Sequence, residues 1–529
     1  MRALASLLIL SHRYLSVPIS LMFVLWFVSG FFMIYTGGMP KVTPAMQLDG
    51  AEVLDFTQVK LSPAEAAGQA GYEAPSAKLR TVLGRPVYEF GDPGYGSFFL
   101  YADTGEFMEP LDTVEGAELA SRFLAVPVQQ FHFVETLEDR TDQWTFTVRS
   151  DLPLHKYAVD DGLGTEVYVS SNSAVVSAYT TRQSRLLAWL GTIPHWLYFE
   201  GLRDNQPLWY RLVVWSATLG CVSALLGLLL GITQFRQVRP FNLQRAIPYR
   251  GLMRWHYVLG CLFGVVTLTW VFSGLVSMEP WYWTNARGVQ VAPGALSQRD
   301  LELSAFPDPR AVDWQEEVPY PVKELTFVRV LGRPMLVSGF SSQSAALQAK
   351  RDRLHQPYNI DGQLAAETLV IDASSGRKQA SFDSATLAAA LDSAIDEARV
   401  TGYEVLDAYD DYYYSRGNQL PLPVLRVTFD DPAESWLYVD PVRGELLSVI
   451  HKYSRLERWL YSGLHSLDFA FWYHKRPLWD IGVLALLSGG LLLSLVGLYL
   501  SLKRVGQDLR RAFERLTRGK GRREVASQT

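Results

Sequence analysis

The chain has 529 residues, 48% of them hydrophobic and 19% charged, with 15 Trp and a formal net charge of −5. That composition excludes disorder, collagen and coiled coil, and at about 150 residues per domain the length allows three or four folding units. A mean hydropathy close to zero is too apolar for an ordinary soluble enzyme and too polar for a protein made only of membrane helices.

The apolar excess is concentrated in four stretches. Residues 1–14 form a short basic N-terminus carrying Arg2 and Arg13, and 15–36 are uncharged. A polar segment, 37–206, leads to a second apolar stretch at 207–233 and a loop at 234–254 with five Arg and no acid. The third stretch is 255–278, the second polar segment 279–478, the fourth stretch 479–502, and the tail 503–529 has nine basic and three acidic residues. About 20 helical residues at roughly 1.5 Å each cross about 30 Å of hydrocarbon, so each stretch is a predicted transmembrane helix. Lys and Arg favour the cytoplasmic side. The N-terminus, the 234–254 loop and the tail together carry +13 against −18 for everything else, which places both termini in the cytoplasm and the two polar segments outside. The first apolar run is too long for a signal peptide and no A-x-A site follows it, so it reads as a retained anchor.

Within the outside segments VLGRP recurs at 82–86 and 330–334. YADTGE (101–106), VIDASSGR (370–377) and VDPVRGE (439–445) place Asp at the start and Gly at the end of a turn, as tight hairpins require. Helical runs such as TVEGAELASRFLAV lie between them. The pattern predicts small α+β modules, two per segment, with a Ser/Ala/Gln-rich insertion near 341–365. The only cysteines, Cys221 and Cys261, fall in the second and third apolar stretches, so the outside segments have no disulfides. No CxxCH or CxxC is present, which excludes c-type haem attachment and Cys-pair metal sites.

The two halves of the chain match. At an offset of 244, His12 aligns with His256 and WFVSG (26–30) with WVFSG (270–274). At an offset of 270, LPLHKYAVDD (152–161) aligns with LPVLRVTFDD (422–431), Ser184-Arg185 with Ser454-Arg455, His195 with His465, and Pro207-Leu208-Trp209 with Pro477-Leu478-Trp479. Two spans per half make these parallel repeats, related by an axis along the membrane normal.

Of nine histidines, His132, His155, His451 and His474 have no histidine counterpart and His355 lies in the insertion. The other four are matched. His12 and His256 sit at the cytoplasmic ends of the odd spans; His195 and His465 lie outside, just before the even spans, in apolar aromatic settings. A polar, metal-binding residue at a membrane edge is a functional candidate; the plain alternative is interface packing. The axis pairs His12 with His256 and His195 with His465, and two facing imidazoles supply both axial ligands of a b-type haem. Two pairs would stack two haems across the bilayer, whereas zinc would be short of its usual four ligands. Gly30, Gly227, Gly260, Gly264, Gly274, Gly489, Gly490 and Gly497 are small enough to admit a macrocycle, or close helix packing.

The H-x16-S-G first span, the D-x-x-x-G hairpins and the SR…WL…H…F…PLW run resemble the PepSY-associated transmembrane helix family of bacterial inner-membrane proteins, over the chain to about residue 505. One departure is VSSNSAV (169–175) where the second half has VDPVRGE, so a degenerate turn is expected there. The resemblance implies an integral-membrane, internally duplicated four-span bundle with two α+β, PepSY-like periplasmic domains. It also implies a haem-containing reductase that releases iron from ferric siderophores, with His12, His195, His256 and His465 as ligands of two haem b groups. The acceptor would be a ferric siderophore or another metal chelate, and no catalytic residue is singled out. No nucleotide motif appears, so the electron donor would be a quinol or a partner protein, and no nucleic-acid partner is expected. The Tyr409, Tyr412, Tyr413, Tyr414 run would line a docking surface or pack a loop. The alternatives are a non-redox anchor for binding domains and a metal-chelate permease.

Overall fold

In a computed structural model the described residues are 2–526 except 37, 72–74, 93–95, 241, 283–287, 293, 298–300, 343–366 and 415–419. Most of the 341–365 insertion, His355 included, therefore lies outside the described residues. The chain divides into two compact units: residues 1–35, 190–283 and 456–529 form one, and 36–189 with 284–455 the other.

The first unit holds four helices long and apolar enough to cross a membrane: Ser6–Met33, Gln206–Thr233, Gly251–Val276 and Leu478–Arg511. At about 1.5 Å per residue even the shortest exceeds about 30 Å of hydrocarbon. The first packs on the second and fourth, and the third packs on the same two. Phe27, Trp479, Val483 and Leu487 form a buried cluster, with Phe23 and Trp270 against it. The first helix begins at Arg2 and the fourth runs on to Ala526, so both are longer than their apolar cores. The segments just before the second and fourth spans, which the sequence reading joined to the outside segments, belong to this unit.

The second unit is built from three antiparallel sheets. β1 (Ser76–Val82), β2 (Arg85–Asp92) and β3 (Gly96–Tyr101) come from the first half. β4 (Phe131–Leu137), β5 (Leu154–Val159), β6 (Thr165–Ser170) and β7 (Val175–Thr180) follow. The second half gives β8 (Val322–Val330), β9 (Arg333–Phe340), β10 (Thr368–Asp372) and β11 (Arg377–Lys378). Then come β12 (Val400–Leu406), β13 (Val424–Phe429), β14 (Trp436–Asp440) and β15 (Glu445–Ile450). β4–β7 and β12–β15 are separate four-stranded meanders, but β1–β3 and β8–β11 are one seven-stranded sheet, in the order β11-β10-β9-β8-β1-β2-β3. The seam is β1 on β8, where Leu79 faces Leu325, both fully buried, and Lys78 pairs with Glu324 at 3.2 Å. The stretches read as two separate domains at 37–206 and 279–478 thus close on each other, because two edge strands satisfy their backbone groups by pairing.

The turn chemistry explains the hairpins. In both VLGRP copies the Leu and Gly have positive φ (Leu83 50°, Gly84 83°; Leu331 50°, Gly332 78°), a two-residue turn whose twist suits the flanking strands. In the β14–β15 turn Asp440 accepts from Val442 and Arg443 backbone N–H and Gly444 takes φ 60°. The β6–β7 turn lacks both residues yet keeps the geometry. The Ser170 hydroxyl accepts from Ser173 N, Ala174 takes φ 47°, and Arg80 donates to the Ser173 and Ala174 carbonyls.

Each meander holds a matched polar cluster. Asp142 accepts from the Tyr168 hydroxyl at 2.7 Å and the Lys156 ammonium at 3.2 Å. Asp410 accepts from the Tyr438 hydroxyl at 2.7 Å and Arg426 at 2.8 Å. The tyrosine run packs this region: Tyr413 is buried, stacks on Tyr438 at 5.0 Å and donates to the Pro421 carbonyl. Burial raises the Asp142 pKa, but the Tyr168 hydroxyl, the Trp144 N–H and Lys156 outweigh it and hold the carboxyl below its ordinary value. A depressed carboxyl contributes stability above about pH 3.9 and loses it as pH falls through the folded value. Asp142→Asn is therefore expected to cost about 2 kcal/mol at neutral pH. Thermal unfolding of the full chain in detergent should show this as a lower midpoint, and the gap to wild type should close as the pH drops below about 4.

Candidate functional site

The four matched histidines form two pairs in the helical unit, His12 and His256 with their rings tilted by 32° and His195 and His465 edge-on at 75°. The ring centres of His12 and His256 are 6.3 Å apart, and those of His195 and His465 are 6.0 Å apart. Three of the four rings are hydrogen-bonded by their own half of the chain, and each pair forms between halves.

His12 lies in the first span and its Nδ1 is 3.0 Å from the Ser223 carbonyl of the second. Ser223 is itself fixed, its hydroxyl 3.1 Å from that of Ser16, which donates to the His12 carbonyl. The counterpart of Ser223 is Leu493, whose carbonyl faces His256. That contact falls short of hydrogen-bond geometry, so among the described residues the buried Nδ1 of His256 has no hydrogen-bond partner.

His195 and His465 sit on short helices, Thr192–Trp196 and Leu464–Ser466, each ended by a leucine in the left-handed region (Leu197 φ 54°, Leu467 φ 50°). The matched tryptophans of Pro-Leu-Trp tether these segments: Trp209 Nε1 donates to the Trp196 carbonyl at 2.9 Å, and Trp479 Nε1 to the Leu467 carbonyl at 3.0 Å. Arg203 lies over Trp209 and Arg476 over Trp479, at 4.3 Å in both cases. His195 Nδ1 is 2.9 Å from the Ser29 hydroxyl and His465 Nδ1 is 3.0 Å from that of Ser273. Burial lowers the pKa of both rings, His195 to about 3 with His465 beside it adding to the effect. The shift favours the neutral imidazole, the form that binds metal.

His12 and Ser29 share one helix, so at about 1.5 Å per residue the two pairs lie roughly 25 Å apart along it, most of the thickness of a bilayer core. Sequence reading found the four histidines and paired them as the structure does. It treated Ser29 and Ser273 only as landmarks of the repeat, although their constant spacing from His12 and His256 was the available signal.

The remaining described histidines have local roles. His132 pairs with Asp160 on the surface, and the ring nitrogens of His155 meet Thr136 and the Leu111 carbonyl. His451 Nδ1 accepts from the Tyr453 N–H, and His474 packs against Tyr473.

The donor set can be tested against a haem. A metal held in line by one nitrogen of each ring, at about 2 Å per bond, sets ring centres about 6 Å apart, which both pairs match. Among the described residues no group of three or more His, Cys, Asp or Glu gathers anywhere. Two nitrogens per level suit a cofactor that brings its own equatorial ligands. The glycines divide. A methyl on Gly227 would lie 3.0 Å from His12 Cε1, one on Gly497 3.2 Å from His256 Cε1, and one on Gly274 3.4 Å from His465 Cε1. Gly489 and Gly490 instead make room for the Phe263 and Phe27 rings, while Gly30, Gly260 and Gly264 face leucines. Three of the eight therefore flank the rings and five serve helix packing.

Gly490→Ala drives a methyl into Phe27 and is expected to destabilise the bundle by about 1–3 kcal/mol. Gly274→Ala makes only ordinary contact and should stay within about 0.5 kcal/mol of wild type. Thermal unfolding of the two variants in the same detergent compares them.

The PepSY-associated TM region model matches residues 10–356, two-thirds of the chain, including the first three long helices and His12, His195 and His256. A comparison with curated proteins finds no match. Four membrane-length helices, antiparallel sheets carried between them and this match together make the chain a member of the PepSY-associated transmembrane family.

Proposed function

We propose that the protein is an inner-membrane haem-binding reductase that passes electrons across the bilayer to a periplasmic ferric chelate, most simply a ferric siderophore. Both termini are cytoplasmic, the sheet unit is periplasmic, and the chain is a duplication of one span–domain–span unit. The observation that carries the reading is the double pairing of imidazoles about 6 Å apart at two levels of one helical bundle. The charge asymmetry of the connecting segments supports the orientation. The matched turns, polar clusters and histidine settings support the duplication.

His12 and His256 would hold the inner group, and His195 and His465 the outer one. When bound, a b-type haem at each level supplies a one-electron Fe(III)/Fe(II) couple. The chain's own residues keep the four rings neutral and oriented, and Phe23, Phe27 and Trp270 pack an apolar bundle around the route between levels. Iron as Fe(III) is held tightly by hard oxygen donors and as Fe(II) far less so. One electron delivered outside therefore frees the metal and leaves the chelator intact. The donor on the cytoplasmic or membrane side is a quinol or a partner protein. Matched buried rings favour this reading over a simple anchor, and few polar residues within the spans favour it over a permease.

Absorption spectra of protein purified from haem-replete cells, oxidised and then reduced, are expected to show Soret and α bands of two six-coordinate b haems per chain. A spectrum without haem would sink the proposal. His195→Ala and His465→Ala should each lose the same half of the haem, and His12→Ala and His256→Ala the other half. Pre-reduced protein should be reoxidised by a ferric hydroxamate, with Fe(II) trapped by a ferrous chelator.

A further inference from the structure

We infer that Ser29 and Ser273 are positioning residues for the outer histidine pair, fixing the tautomer of His195 and His465 so that both Nε2 lone pairs face the shared site. The inference rests on the haem-binding reading.

The position of one proton on each serine decides the tautomer of the histidine beside it. Ser29 and Ser273 are 1% and 0% exposed, deep in the first and third long helices. A hydroxyl has a single proton to donate. Ser29 sends its proton back to the Leu25 carbonyl at 2.7 Å, with the Trp26 carbonyl at 3.1 Å. Ser273 sends its proton to the Trp270 carbonyl at 2.9 Å. Both are the back-bonds that helical serines make. Each serine oxygen therefore meets the histidine with a lone pair, and the ring nitrogen facing it must be the donor. Nδ1–H of His195 reaches Ser29 at 2.9 Å, and Nδ1–H of His465 reaches Ser273 at 3.0 Å. A second acceptor stands beside each: the Trp270 carbonyl is 3.0 Å from His465 Nδ1, and the Trp26 carbonyl faces His195. With Nδ1 protonated, Nε2 is the only unprotonated nitrogen on each ring, and the two ring centres lie 6.0 Å apart with their planes at 75°.

A hydrogen-bond acceptor on the far side of a metal-bound imidazole fixes its orientation and raises its basicity. A more basic ligand favours Fe(III) and lowers the reduction potential. At the inner pair no hydroxyl plays this part: the Ser223 backbone carbonyl faces His12 Nδ1 at 3.0 Å, and the Leu493 backbone carbonyl faces His256. The W-x-x-S-G motif is thus the holder of the outer histidines as well as a landmark of the repeat.

The test is a spectroelectrochemical titration of the full-length wild type, Ser29→Ala, Ser273→Ala, the double Ala variant and the double Thr variant. If wild type binds no haem, the reading beneath the inference fails. Given two haems in wild type, the double Ala variant should move one midpoint upward and leave the other in place. The same haem should dissociate about 10-fold faster or more, and it should be the one lost in His195→Ala. Thr, which retains the hydroxyl, should restore both properties. Unchanged midpoints, or equal shifts of both, in a variant that keeps two haems would overturn the assignment while leaving the haem reading intact. Should the double Ala variant fail to fold, the single variants carry the same comparison.

Discussion

A neutral imidazole inside an apolar bundle brings a donor and an acceptor that water cannot reach, and the arrangement of the helical unit follows from where those two nitrogens go. In three of the four rings Nδ1 is spent on the ring's own half: Ser223 for His12, Ser29 for His195, Ser273 for His465. The other nitrogen is left for the opposite half. Because an unpartnered polar group costs several kcal/mol in such surroundings, these contacts set the rotation of the helices about their axes as well as the rings. Trp209 and Trp479 extend the same logic, their indole N–H groups closing the segments that carry His195 and His465 onto the spans below.

The sheet unit solves a related problem at its edges. β1 and β8 would each be an exposed edge if the two outside segments folded alone. Pairing them removes both edges and buries Leu79 against Leu325. The union of the halves is therefore made twice by different physics, through backbone hydrogen bonds at the β1–β8 seam and through packing of the first span on the fourth and the second on the third within the bundle.

Much of this was legible in the sequence. The four spans stood out by length and lack of charge, and the hairpins by Asp and Gly at fixed offsets. The histidine pairs were legible because the repeat removed five of nine candidates. The β1–β8 seam was not, since an antiparallel pairing between strands some 245 residues apart leaves no local pattern. The β6–β7 turn read as degenerate because its letters changed. Ser170, Ala174 and Arg80 rebuild the same turn from other atoms, which only the packing reveals. The glycines were over-read: spacing cannot distinguish one facing a histidine, such as Gly497, from one yielding to a phenylalanine, such as Gly490.

In the proposed duplication an axis along the membrane normal would make the two halves equivalent but place no such requirement on the two faces of the membrane. A vectorial electron path needs that freedom, because equal sites at both levels would give no preferred direction. The contacts differ where the axis allows them to. Hydroxyl oxygens from the odd spans meet Nδ1 at the His195–His465 pair, and backbone carbonyls of the even spans face it at the His12–His256 pair. A hydroxyl can be altered by one substitution and a backbone carbonyl cannot. On the proposed function, the outer site is the one whose chemistry sequence change can tune to its acceptor, while the inner site stays tied to the helix backbone.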